Sequence, residues 1–305
     1  MNIATHAAFR SGPKRKWSSD TIFEGLLYGW AAIVLLITLY PLYFIVIASF
    51  SDPSAVGNGQ VWLFPEGFTL DGYRELLNHA NIWIGYRNTL VYTVVGTAIG
   101  LAVNVSAAYA LSRRDLFGRK AITLFFIFTM FFNGGLIPTF LTIRDFGLYN
   151  TFLVMVLPFA VGVFDIIVAR TFFQNSIPPD LWEAAQIDGC GNLRYFFQIV
   201  LPLSKAILSV LALWIAVGHW NSYFNALIYL KDENLYPLQL VLRNILITNQ
   251  MQSSMGSGEA AEIALRLANM MRYSVIIVST IPIMLVYPFV QKHFNQGVMI
   301  GAVKA

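Results

Sequence analysis

Charge is scarce in this sequence. Asp, Glu, Lys and Arg make up 12% of the 305 residues, where a soluble domain carries about 25%. Since 57% of the residues are hydrophobic, a water-surrounded globule is excluded and the long apolar runs need a non-aqueous surrounding. Cysteine is almost absent: the single Cys190 excludes an internal disulfide and says nothing about compartment. Histidine is sparse and scattered (His6, His79, His219, His293), without metal-ligand spacing, so no metal ligands are assigned. No Gly-x-x-x-x-Gly-Lys-Ser/Thr phosphate loop occurs, which excludes ATP hydrolysis by that route. No convergent His/Asp or Ser/His set stands out, so no catalytic residues are assigned. There is no internal repeat or low-complexity tract. The net charge of +4 is too modest to point to nucleic acid.

What the chain does have is apolar length. A membrane-spanning helix needs roughly 20 apolar residues, and six stretches qualify: 22–50, 83–112, 121–143, 149–173, 203–230 and 272–291. The expected fold class is therefore all-α integral membrane, with six transmembrane helices. A polar, basic segment 1–21 precedes a single membrane domain, 22–305. The first run is too long for the apolar core of a signal peptide. Pro41, Pro138 and Pro282 fall inside runs, where neighbouring helices can satisfy the freed carbonyls. An even number of spans puts both termini on one side. With the N-terminus inside, 13 of the 20 Lys and Arg lie on the cytoplasmic face and 7 outside, as positive-inside distribution requires. The short turn 112–120, with Arg113, Arg114, Arg119 and Lys120, carries most weight. Two long segments fall outside. Segment 51–82 includes a short surface helix at 70–77. Segment 231–271 has a flexible hinge at 253–258, and a helix from near Glu259 runs on into the last span.

The cytoplasmic loop 175–202 is polar and punctuated between two strongly apolar runs. Pro178 and Pro179 stop the preceding helix, Asp180 is placed to cap the next, and Glu183 completes an Asp-x-x-Glu capping box. Gly189 and Gly191 end that helix, where a left-handed residue costs little. Asn192 caps a second short helix running to Val200, and Pro202 restricts the chain before the fifth run. The expectation is a helix–turn–helix elbow across the membrane face, with Ala184 and Ala185 as a small approachable surface and Glu183 projecting a charge. An ordinary amphipathic connector would have the same caps. A polar helix pair at the end of membrane helices, however, suits contact with a protein outside the membrane.

The whole pattern is more specific than its caps. Glu183-Ala184-Ala185, three residues, Gly189, nine residues, then Ile199-x-Leu201-Pro202 resembles the signature loop of transmembrane subunits of binding-protein-dependent ABC importers. Asp188 stands before the glycine, as in many sugar permeases; Cys190 replaces the usual small apolar residue after it. The stretches 68–74, Trp220-Asn221 and 286–301 are similar to carbohydrate permeases, the last to the subgroup handling complex, including uronide-derived, oligosaccharides. The resemblance covers most of the chain. It implies a type I importer permease fold in a bacterial cytoplasmic (inner) membrane and, most narrowly, the second permease subunit of an alginate or pectin oligosaccharide importer. It implies a second homologous permease subunit, a separate ATPase dimer gripping Glu183–Pro202, an extracytoplasmic solute-binding protein and an oligosaccharide substrate. ATP and Mg would sit on the partner ATPase, and this chain would bind no cofactor.

The substrate pathway is less legible. Asp165 falls inside an apolar run, where a carboxylate is expensive and faces a cavity or partner. Asn104, Asn133, Trp220, Asn221, Tyr223 and Asn225 supply the amides and aromatic faces that bind sugars. Each has a plainer reading too: asparagine joins membrane helices, and Trp and Tyr anchor at interfaces. Gly96, Gly100 and the alanine-rich 107–110 are expected at close helix contacts. The run of Phe125, Phe126, Phe128, Phe131 and Phe132 is expected to face lipid or core. A passive channel would not need the elbow, and a membrane-embedded enzyme would need the catalytic set that does not stand out.

Overall fold

The computed structural model describes residues 19–255, 269 and 271–285. Among these, the regular elements are all helical: α1 (Ser19–Ser49), α2 (Pro53–Gly57), α3 (Asp71–Asn78), α4 (Ala80–Ser112), α5 (Arg119–Phe131), α6 (Leu136–Asp145), α7 (Val163–Ser176), α8 (Pro179–Ile187), α9 (Asn192–Tyr195), α10 (Leu201–Leu203), α11 (Lys205–Trp220), α12 (Phe224–Tyr229), α13 (Leu238–Met255) and α14 (Met271–Leu285). A 3₁₀ turn at Phe152–Met155 precedes α7, and a π turn at Phe196–Val200 joins α9 to α10.

The organising element is α4. At 33 residues and 1.5 Å per residue it is about 50 Å long, and it packs against α11, α7, α13, α5 and α3. Lipid tails are as apolar as leucine, so burial from lipid gains little and close packing must hold such helices. Small residues permit it. A Cβ at Gly96 would run into the imidazole of His219, one at Gly100 would press on Ile215 at 3.2 Å, and Ala108 is fully buried. The close contacts expected at Gly96 and Gly100 are present, while within 107–110 Ala108 is buried and Ala110 is exposed. Three buried clusters follow one another along α4. Val105, Ala108 and Leu111 belong to the inner one, with Phe173, Tyr195 and Leu211. Tyr92 sits in the middle one with Met155 and Tyr229, and Ile82 in the outer one with Trp220 and Leu238.

Fewer than six of the runs are unbroken crossings, and the last run extends past the described residues. Among the described residues two helices are long and apolar enough to cross a membrane unbroken, Ile22–Ser49 and Ala80–Ser112, and up to four crossings result if each bent pair counts as one. The 121–143 run breaks between α5 and α6, which meet at 112°, because Asn133 turns the chain and Gly135 takes φ +80°. The 203–230 run starts late: after Pro202 the chain bends by 83° into α11, which gives way to α12 at Asn221. The 149–173 run is a 3₁₀ turn, an irregular stretch around Pro158, and only then α7. α1 begins at Ser19, within the segment assigned to 1–21. The 253–258 hinge is helical over Ser253–Met255. Its remainder, the helix from Glu259 and the 286–301 motif lie outside the described residues. The surface helix at 70–77 is α3, with Leu76 buried beneath it.

Irregular backbone inside a bilayer needs partners from protein, and asparagine supplies both a donor and an acceptor. Asn104 donates through Nδ2 to the Ala160 carbonyl at 3.0 Å and accepts the Gly162 N–H at 2.9 Å. It thereby fastens the stretch before α7 to α4. Asn88 donates to the carbonyls of Asn234 and Tyr236. Asn150, at φ +57°, accepts the amides of Lys231 and Asp232.

Candidate coupling site

The elbow is built locally and then clamped. Its first helix starts two residues earlier than the capping-box reading places it. Pro178 is the cap and Pro179 the first helical residue, and no side chain caps the end. Two prolines force this start: Pro178 has extended dihedrals (φ −60°, ψ 136°), and Pro179, lacking an N–H, loses nothing in the first turn. Asp180 is therefore in the first turn, where its charge complements the helix dipole.

The far end follows the glycine reading. Gly189 adopts φ +73°, its N–H bonds to the Gln186 carbonyl at 3.0 Å, and the Cys190 N–H reaches back to Ala185 at 2.8 Å. This pair of bonds is a Schellman turn, which uses up carbonyls the helix end leaves free. Gly191 is not left-handed. It, rather than Asn192, caps α9, because the chain is already extended there (φ −79°, ψ 163°). The helix expected to reach Val200 continues through the π turn to Leu203.

Successive residues on α8 point about 100° apart, so the two alanines part company. Ala184 is exposed, whereas Ala185 is buried in the inner cluster; the shared small surface expected of them is reduced to Ala184. Glu183 and Asp188 are exposed. Between them and beyond Gly189 stand apolar side chains that the sequence reading missed, Ile187 at 88% exposure and Leu193 at 75%. Further on, Ile199 and Leu201 are half-buried and Pro202 is exposed. The outward face thus combines two carboxylates with an uncovered apolar patch.

The inward face is held by residues distant in sequence. Trp182 meets Tyr195 edge-on, ring centroids 4.9 Å apart. The guanidinium of Arg113, from the turn after α4, lies 3.9 Å over the Trp182 ring. The same guanidinium grips Asp115 through two hydrogen bonds of 3.1 Å, which holds the Asp115 carboxyl below its usual pKa. Burial pushes the Tyr195 hydroxyl up. On α7, Arg170 and Gln174 donate to the carbonyls of Leu111 and Ser112, groups that the end of α4 leaves unpaired. Between turn and elbow runs a groove of about 700 Å³ lined by Arg114, Arg119, Trp182 and Glu183 among others. The elbow is thus fastened to the turn after α4, and α7 to the end of α4, with all three sharing one buried cluster.

The pathway residues are dispersed. Asn104 is buried and committed to Ala160 and Gly162. Asn133 is exposed at the α5–α6 break and accepts the Gly135 N–H. Asp165 is in the first turn of α7 rather than midway along a helix. Trp220 turns into the outer cluster, its indole N–H bonding Ser279. Asn221, Tyr223 and Asn225 follow one another where α11 gives way to α12; Asn221 bonds back to Val217, and Tyr223 lies beneath Arg243 at 5.9 Å. None of the seven lines the groove beside the elbow or the cleft of about 210 Å³ bounded by His79, Asn81, Glu233 and Asn244. Among the described residues no three His, Cys, Asp or Glu side chains are grouped as metal ligands.

Comparison with known proteins bears on what such a clamped elbow serves. Residues 106–300 match the family described as "Binding-protein-dependent transport system inner membrane component". The chain is 40% identical to the polygalacturonan/rhamnogalacturonan transport system permease protein YtcP of Bacillus subtilis (strain 168), over 93% of this chain and 99% of that one. It is 38% identical to protein LplC of the same organism, over 88% and 90%. Among solved structures, a chain from the crystal structure of a bacterial ABC transporter involved in the import of the acidic polysaccharide alginate superposes with a TM-score of 0.82. That match has 34% identity and covers 93% of this chain and 100% of the other.

Proposed function

Because the chain belongs to the inner membrane components of binding-protein-dependent transport systems, and is thus a non-catalytic permease subunit whose ATPase is a separate chain, we propose that it forms half the pathway of an ATP-driven importer of uronide oligosaccharides. The observation that carries the reading is the elbow. Glu183, Ala184, Ile187 and Asp188 stand free on its outer face, while Trp182 and Ala185 lock its inner face to the bundle. The free face is the docking surface for the ATPase, with Gly189 setting the turn that seats it and Ile199, Leu201 and Pro202 fixing the exit into α11. When ATP draws the two ATPases together, the elbows are pulled with them. The clamp at Arg113, Arg170 and Gln174 then passes that displacement to α4 and α7 as a rigid-body rotation. ATP and Mg act on the ATPase; this chain supplies the lever.

The relatives support the substrate class: one is described for polygalacturonan and rhamnogalacturonan, and a solved neighbour for alginate. A second homologous permease, a solute-binding protein at the outer face, and cytoplasmic termini complete the arrangement. The test is ATP-dependent uptake of labelled oligogalacturonides or oligoalginates by vesicles carrying the assembled complex. Glu183→Lys should abolish uptake while the chain remains in the membrane. Unchanged uptake by that variant would remove the docking assignment, and uptake of neutral oligosaccharides alone would remove the uronide assignment.

A further inference from the structure

The loop after α2 carries apolar side chains that the described residues leave uncovered: Trp62, Leu63 and Phe64 are 69%, 61% and 76% exposed. From Pro53 to Pro65 no residue is charged. In water such a loop would leave its backbone carbonyls to solvent. Here two of them, at Trp62 and Leu63, are taken up by tyrosines of the first span. Tyr40 donates to the Trp62 carbonyl at 3.3 Å and Tyr43 to the Leu63 carbonyl. The Trp62 indole N–H is spent on Gly59 at 2.7 Å. Each carbonyl and indole N–H satisfied from within lowers the cost of bringing an irregular segment into an apolar medium.

Its depth agrees. Tyr40 and Tyr43 lie nine and six residues before the end of α1 at Ser49, about 14 and 9 Å along the helix at 1.5 Å per residue. Helical side chains lean toward the N-terminus, so the loop runs back down beside the span. Its base is fastened by the Asp52 N–H to Glu66 and the Thr69 N–H to Phe50, and Val61 is buried as its inner anchor. Tryptophan with a satisfied N–H at the end of a span is an interfacial anchor.

We propose that the Trp62-Leu63-Phe64 loop docks into the lipid bilayer, seated among headgroups and upper acyl chains on the side of segment 51–82, and so fixes the depth of α1. A nitroxide on Phe64→Cys, in a Cys190→Ser background of the full complex in proteoliposomes, tests this through its accessibility to oxygen and to a water-soluble nickel chelate. The expected result is an oxygen-to-nickel ratio several-fold above that of a label at Arg74→Cys on α3. A ratio equal to that at position 74 would place the loop in water, and low accessibility to both reagents would place it against another protein; either overturns the proposal. Should the labelled variant fail to assemble, quenching by brominated lipids gives the same decision: the unmodified complex should lose more fluorescence than Trp62→Phe, and equal losses would refute lipid contact. Neither readout depends on transport, so failure here leaves the coupling assignment standing.

Discussion

Removing the Arg113 guanidinium tests whether the elbow moves with α4 as one body. The perturbation is Arg113→Met, which keeps length and apolar stem. It deletes the cation over Trp182 at 3.9 Å and the two-point grip on Asp115. A cation–aromatic contact contributes about 0.5–2 kcal/mol. The ion pair with Asp115 lies within the turn and orients the guanidinium rather than bridging to the elbow. From the aromatic contact alone, at 1.4 kcal/mol per tenfold, the detached elbow should become roughly 2- to 30-fold more populated. Amide hydrogen exchange over α8 in the assembled complex reads that population directly. ATP hydrolysis should persist while uptake per ATP falls. Trp182→Leu should have a similar effect, and the double variant should do little more than either alone, because the two side chains form one contact. Unchanged exchange over α8, or full additivity of the two variants, would refute the clamp.

Other consequences follow from the same geometry. The Asp115 carboxyl is held below its ordinary pKa of 3.8, so its contribution to the clamp is complete above that value and disappears only as pH falls further, through the depressed pKa. Protection of the α8 amides, taken relative to the intrinsic exchange rate at each pH, should therefore be flat across the neutral range and fall in acid, and a transition near neutrality would contradict the pairing. Gly189→Val should weaken co-purification of the ATPase, since a side chain in the left-handed region costs about 1–2 kcal/mol; a Cβ there meets nothing within 4 Å, so Gly189→Asn, which tolerates positive φ, should retain more binding, and equal losses would point to a steric cause. Asn104→Leu strips partners from the Ala160 carbonyl and the Gly162 N–H, at roughly 1–3 kcal/mol for each orphaned group. Its thermal unfolding midpoint in detergent should fall clearly, and an unchanged midpoint would mean those groups find other partners. With Cys190 replaced, a cysteine at Gly57 should react with an impermeant maleimide from outside the cell and one at Phe117 only after permeabilisation; the reverse pattern would invert the topology.

Much of the elbow was legible because its signals are local. Two prolines, a glycine after nine helical residues and a short polar stretch between apolar runs act over a few bonds. Even so, Asp180 was read as a cap because an Asp-x-x-Glu spacing was weighed above the backbone constraint of Pro178 and Pro179. The runs behaved differently. Apolar composition averages over some twenty residues, so it could not register breaks made by single residues such as Asn133 and Gly135, or by the bend following Pro202. Asn104 was read as a pathway candidate from its residue type. Its engagement with Ala160 and Gly162 depends on how α4 lies against a segment far along the chain, and no pattern within either stretch carries that.

The sequence by itself determined that the chain is a helical membrane protein with a polar elbow between apolar runs: charge scarcity, apolar length and backbone chemistry are properties of each stretch taken alone. Only the tertiary structure decided which face of that elbow is free and which is locked. Trp182, Arg113 and Tyr195 meet across the fold, and contacts between residues so distant in sequence exist only once α4, α7 and the elbow have packed.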